Sequence, residues 1–166
     1  MDLFTNNINF DIQVLQNGPI SMYFKLDFLK SDIKSLKEIG YEVIYFDTSN
    51  WTIASAHQDL KEKLSFADYY GDNLNAFNDC LGDFDTKDSC GLVIVFERFD
   101  IIADKEMDFC LGFLDVITEQ SRQWLLTDRK LICLLQSNNP DLHFEKVGGL
   151  NPTWNRQEWL NEKRKN

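Results

Sequence analysis

Apolar positions recur along this chain with two alternating periods. Phe10, Ile12 and Val14 alternate with polar residues, and so do Ile20, Met22 and Phe24, with Asn17-Gly18-Pro19 between the two runs. Asn-Gly between alternating runs signals a hairpin, so this segment predicts two antiparallel strands with Pro19 opening the second. Leu26, Leu29, Ile33 and Leu36 then follow helical spacing, and Gly40 stands where a helix stop belongs. Tyr41 to Phe46 reads as a buried strand, and Thr52 can cap a helix with the stripe Ile53, Ala56, Leu60 and Leu64. Gly91 to Phe96 is continuously apolar, as a strand covered on both faces would be. A long helix carrying Met107, Cys110, Leu111, Leu114 and Ile117 precedes a last clear strand at Lys130 to Leu135. Thr153 to Leu160 predicts a short helix, and the charged end from Glu162 to Asn166 predicts fraying.

Strands separated by helices imply an α/β fold, a small, mainly parallel sheet flanked by helices. The expected division is an N-terminal hairpin-helix extension over residues 1–40 packed on the core, a central domain over 41–137, and a C-terminal extension over 138–166.

The stretch from Tyr69 to Phe84 carries the most chemistry. Leu74, Phe77, Leu81 and Phe84 form one apolar helical stripe, and Asn75, Asp79 and Asp83 recur every fourth residue on a second face. Asp72 is expected in the first turn, where a carboxylate suits the positive end of the helix dipole. No Lys or Arg occurs between Tyr69 and Phe84. A solvated helix usually mixes both signs, whereas this one offers acids and amides, preceded by two tyrosines and a glycine that can turn the chain. On composition alone it reads first as a solvated acidic face, with a surface for a basic partner as the other reading.

This stretch resembles the signature of the barstar family, the intracellular inhibitors of bacterial ribonucleases. The family pattern is two tyrosines, Gly, an acid, Asn-Leu, an acid, Ala, two bulky residues and Asp; Tyr69-Tyr70-Gly71-Asp72-Asn73-Leu74-Asn75-Ala76-Phe77-Asn78-Asp79 follows most of it. The similarity reaches back through Val43 to Phe46 and Thr52 to Leu64. It reaches forward through Gly91 to Phe96, Leu111 to Glu119 and Leu131 to Leu135. The resemblance implies a barstar-like domain over 41–137, no enzymatic activity, no cofactor, and a helix that occupies the place of RNA phosphates in a nuclease cleft. A fixed carboxylate can satisfy the Arg, Lys and His that such a cleft gathers.

Carried over by motif, Asp79 is the central carboxylate, Tyr69 an aromatic contact at the rim, and Glu119 an acidic supplement from its own helix. Asp72, Asn75, Asn78, Gly82 and Asp83 complete the expected partner-binding set. The departures are specific. The family's second helix acid is Asn75 here, and the bulky aromatic before the key Asp is Asn78. The small polar residue and glycine after the helix are Gly82 and Asp83, and the next tryptophan is Phe84. Altered contacts on a kept structural pattern suggest a changed partner. Asp83 is either the charge that Asn75 lacks or a loop acid.

Charge sharpens the partner. The formal net charge of -10 repels nucleic acid and anionic membranes and attracts basic proteins. Together with the resemblance, this makes the expected partner a basic bacterial ribonuclease or related toxin domain, and the free chain is expected to be a monomer. Met1 to Asn7 lacks the basic and apolar regions of a signal peptide, which points to the cytosol. Cys80, Cys90, Cys110 and Cys133 form no Cys-x-x-Cys motif and are expected as buried or half-buried thiols. Two other classes compete with inhibition: a divalent-metal hydrolase using Asp72, Asp79, Asp83 and Glu119, and an interaction module whose partner is not a nuclease. Asp83 to Asp88 fails as a calcium loop, because Lys87 replaces an oxygen ligand and Asp88 the required glycine. His57, on the apolar side of its helix, reads as a boundary histidine, and His143 lies in a loop without a partner motif.

Overall fold

The computed structural model describes residues 10–145, 147–149 and 151–165. Its central element is a five-stranded sheet: β1 Ile20–Tyr23, β2 Glu42–Asp47, β3 Gly91–Glu97, β4 Lys130–Gln136 and β5 Thr153–Trp154, in the order β2-β3-β4-β1-β5. Every strand pair is parallel. Seven helices lie among the described residues: α1 Phe10–Gln16, α2 Leu26–Ile39, α3 Ile53–Lys63, α4 Leu74–Gly82, α5 Phe99–Lys105, α6 Met107–Leu125 and α7 Asn161–Arg164. The α/β expectation holds.

Alternation along the central strands builds two cores. Leu92, Ile94 and Phe96 of β3, with Leu131, Cys133 and Leu135 of β4, face one side and meet Leu60, Phe77, Leu81, Phe113 and Ile117. Val93, Val95, Ile132 and Leu134 face the other and meet Leu29, Ile33 and Leu36 of α2. A strand apolar on both faces must be covered on both, and the continuous run from Gly91 encodes this.

The predicted N-terminal hairpin does not form. Residues 10–16 are helical, and Gly18, at φ 104°, donates its N–H to the Leu15 carbonyl at 3.0 Å. The left-handed glycine that would close a hairpin here closes a helix instead. The apolar alternation is overlaid by an i, i+4 pair, Phe10 and Val14, which packs on the second core with Leu15, while Ile12 is exposed. Asp11 fixes the choice. Its buried carboxylate accepts from the Tyr41 hydroxyl at 2.8 Å and the Lys130 ammonium at 3.1 Å. β1 then pairs with β4 and β5 and not with an antiparallel neighbour.

The C-terminal expectations also change. Thr153–Trp154 is a strand, not the start of a helix. Asn155 donates through its backbone N–H and its side chain to the Met22 carbonyl, both at 2.9 Å, pinning this segment to the edge of β1. Glu158 is fully buried and accepts from the N–H groups of Phe24 and Lys25, at 2.8 and 3.0 Å. Arg164 lies in the segment expected to fray, yet it is buried. It donates to the carbonyls of Pro140, Glu158 and Trp159 and stacks over the Trp154 ring. Among the cysteines, Cys110 and Cys133 are buried and Cys80 is partly covered, but Cys90 is exposed.

α3 starts as its sequence demands. Thr52 and Ser55 form a reciprocal capping box. Ala56, Leu60 and Leu64 are buried, and so is His57, whose Nδ1 lies 2.6 Å from the Tyr70 hydroxyl. α5 follows β3 directly, burying Phe99, Ile102 and Ala103.

Two predictions follow from this packing. Removing residues 1–40 would leave β4 as a sheet edge and strip α2 from Val93, Val95, Ile132 and Leu134. The truncated chain is expected to aggregate or to melt well below the full chain; a soluble monomer with an unchanged melting temperature would refute this. For His57, burial depresses the imidazole pKa, against a smaller opposing pull from Asp72. The unfolded chain, with an ordinary value of about 6.5, then takes up a proton that the folded chain resists. Stability should decline as pH falls through that value, and His57→Gln should flatten that part of the curve. Melting curves of both proteins between neutral and mildly acidic pH test this, and parallel curves would refute it.

Candidate partner-binding site

The site begins with a turn that separates two adjacent tyrosines. Tyr70 is buried, with its hydroxyl against His57 and its ring 5.1 Å from that of Phe66. Its N–H donates to the Ala67 carbonyl at 2.9 Å. With Tyr70 held inward, Tyr69 turns outward and is 81% exposed. The left-handed residue of this turn is Asp72, at φ 51°, and not Gly71. A Cβ at Gly71 would lie 3.2 Å from the Asn73 amide nitrogen, so any larger residue here would press on the capping side chain.

α4 is capped by Asn73, whose Oδ1 accepts from the Ala76 N–H at 2.8 Å. Asp72 therefore precedes the cap and does not occupy the first helical turn. Phe77 and Leu81 are fully buried and Leu74 is partly so. Burial of each large side chain stabilises by about 1.5–3 kcal/mol, so these residues hold the helix down. Phe84, just past the helix, stacks on Trp124 at 6.1 Å between ring centroids. Arg129 lies over the same Trp124 ring and donates to the carbonyls of Gly82 and Phe84, at 3.3 and 2.9 Å. It satisfies the carbonyl end of α4 from a loop 45 residues away in sequence, a role no pattern around α4 announces.

The expected site residues divide by direction. Asn75, Asp79 and Asp83 are exposed along one face of α4. The Asp79 and Asp83 carboxylates make no hydrogen bond or ion pair among the described residues. Their field, added to the burial that acts first, pushes the Cys80 thiol up, so this residue stays neutral between them. Asp83 and Tyr69 line one cleft with Ile44, Phe66, Cys80 and Phe84. Asn78 and Gly82 instead face α6. The Asn78 Oδ1 accepts from Gln120 Nε2 at 2.8 Å, and a Cβ at Gly82 would lie 3.1 Å from Gln120 Oε1. Gln120 was not among the expected site residues, and nothing in its own neighbourhood marks it.

Glu119 is exposed on α6, one residue before Gln120. It accepts from Arg122 at 3.5 Å and from Gln123 at 3.1 Å. An exposed pair of this kind is worth about 0–1 kcal/mol, so Glu119 is tethered only weakly. Arg122 also donates to the Gly148 carbonyl, which lays the 147–149 loop beside this end of the face. Among the described residues, no three His, Cys, Asp or Glu side chains are grouped to hold a metal ion. The four acids of the hydrolase reading are thus not gathered into one. Likewise among the described residues, no helix is long and apolar enough to cross a membrane.

The chain matches the family described as Barstar (barnase inhibitor) over residues 41–136, more than half its length. A stretch of 25 residues, 15% of this chain, is 68% identical to the Bacillus subtilis (strain 168) protein named "Putative ribonuclease inhibitor YrdF", and it spans 28% of that relative's length. The family match takes in β2, β3 and β4 with the helices between them, α4 included. On the extent of that match, the chain belongs to the Barstar family, whose members are ribonuclease inhibitors and not enzymes.

Proposed function

We propose that this protein binds a basic ribonuclease, or a related toxin domain, in the cytoplasm and blocks its cleft with the outward face of α4. The observation that carries this reading is the setting of Asp79. It is exposed, stands in the middle of a capped helix, and has no internal partner among the described residues. Asn75 and Asp83 lie one turn to either side on the same face, and Tyr69 stands at the rim with most of its ring in solvent. A cleft built to hold RNA phosphates presents clustered cations. A carboxylate on a preformed helix meets them without first giving up another bond. Exposed aromatics of this kind are the usual anchors of tight interfaces.

The altered positions indicate a partner different from that of the family's usual pattern. Asn75 removes one negative charge from the first turn, and Asp83 places one beyond the last. The acidic field is thereby shifted along the helix and not lost. The partner's cations are expected to follow this shift, toward the cleft shared by Tyr69 and Asp83.

Two outcomes test the reading. Asp79→Ala should leave folding nearly unchanged, because the site is exposed and Ala is the better helix former. It should weaken binding by about 2–5 kcal/mol, a range already established by interfaces of this kind, and mainly through a faster off-rate. Asn75→Ala should cost less. The measurement is inhibition of RNA cleavage by a barnase-type ribonuclease, with dissociation rates and melting temperatures of both variants. Undiminished binding by a folded Asp79→Ala protein would remove α4 from the interface. The on-rate should also fall as salt is added, because screening shortens the reach of the acidic face. A rate that is flat from low to high salt would exclude steering.

A further inference from the structure

We propose that Gln120 is the positioning residue of the binding helix: it sets the rotation of α4 on α6 and so the direction in which Asp79 points. The inference rests on the inhibitor reading above for its consequence, but its geometry stands in the free protein.

α4 has nine residues, too few to keep a fixed orientation without tertiary contacts. Its apolar contacts through Phe77 and Leu81 are strong but not directional. Arg129, from the loop after α6, holds the carbonyls at the C-terminal end of α4, and the directional contacts along the body of the helix are with α6. At one end, Leu74 of α4 sits against Gly112 of α6, where an added Cβ would come within 2.8 Å of Leu74 Cδ1. At the other end, Gln120 of α6 sits against Gly82 of α4, where an added Cβ would meet its amide at 3.1 to 3.5 Å. Both steps are eight residues, so the two notches lie about 12 Å apart along parallel helices. Each helix supplies one glycine and one knob.

The hydrogen bond between Gln120 and Asn78 makes this seat unique. Gln120 is only 8% exposed, so its amide is largely withdrawn from water and gains from the Asn78 carbonyl. Asn78 and Gly82 are one turn apart and share a side, which Gln120 spans. Asp79 follows Asn78 and is turned about 100° from that side, toward solvent. A slip of α4 by one ridge would lose the bond, drive Gln120 into backbone and turn Asp79 away from its outward direction. In this chain Asn78 and Gly82 thus serve as the seat of Gln120.

Amide hydrogen exchange of the free protein decides the matter. Gln120→Ala should speed exchange across 77–82 by about tenfold while leaving α3 unchanged. Gly82→Ala should do the same, because its new methyl displaces Gln120. Combined with Gln120→Ala, it should add nothing, since the obstacle is gone. Unchanged exchange in both single variants, or effects that simply add, would overturn the proposal. With barnase as the probe, both single variants should raise the dissociation rate about tenfold when Asp79 is present and leave it unchanged in an Asp79→Ala background. Equal effects in the two backgrounds would show that Gln120 does not act through Asp79. If the wild-type chain leaves barnase active, barnase is excluded as its target, and the exchange result still decides the positioning.

Discussion

The packing of α4 on α6 is the contact on which the other features of the site depend. α4 cannot hold itself, and its capping residue supplies only about 1 kcal/mol. Phe77 and Leu81 give the energy, through full burial against Phe113 and its neighbours. Gln120, Gly82, Gly112 and Arg129 give the direction. The division is physically natural, since apolar burial scales with area and is indifferent to small rotations, whereas a hydrogen bond and a glycine notch are not. A carboxylate meant to be useful at a fixed point in space needs both.

Much of the fold was legible because the central strands must be apolar on both faces, and the helices between them carry clean stripes. Gly91 to Phe96 and Lys130 to Leu135 could be read directly, and so could the stop at Gly40. The failures share a cause. Asn17-Gly18 specifies a left-handed residue but not which element it ends, and the local pattern could not show that Asp11 would meet Tyr41 and Lys130. Trp154 and Arg164 were likewise unreadable, because each is fixed by a residue far away in sequence or by the edge of β1. For the site, the exposed row Asn75, Asp79 and Asp83 follows from period alone. Asn78 and Gly82 share the helix but not the direction, since their surroundings depend on Gln120, about forty residues away.

The added strands solve a problem that the matched region alone would leave open. Residues 41–136 supply β2, β3 and β4, and β4 is apolar on both sides with a full row of backbone groups to satisfy. β1 pairs with that row, and β5 pairs with β1 in turn, ending in a segment held by Asn155, Glu158 and Arg164. The sheet edge is thus moved outward to a two-residue strand closed off by side-chain hydrogen bonds, a short edge of the kind that resists further pairing.

The departures from the family pattern fall into two groups that act differently. Asn78 and Gly82 look inward and concern where α4 sits; Asn75 and Asp83 look outward and concern what the helix offers. A change of the first kind must be matched within the chain, and Gln120 is the match. A change of the second kind can be matched only by the partner. Removing a charge at the start of the helix and adding one past its end keeps the total while moving its centre toward the Tyr69 cleft. Specificity is a difference between affinities, and displacing a charge by a turn or two penalises the old cluster of cations as much as it rewards a new one. If α4 is the binding helix as proposed, keeping it in place by internal contacts while altering its outer face changes the target without rebuilding the fold.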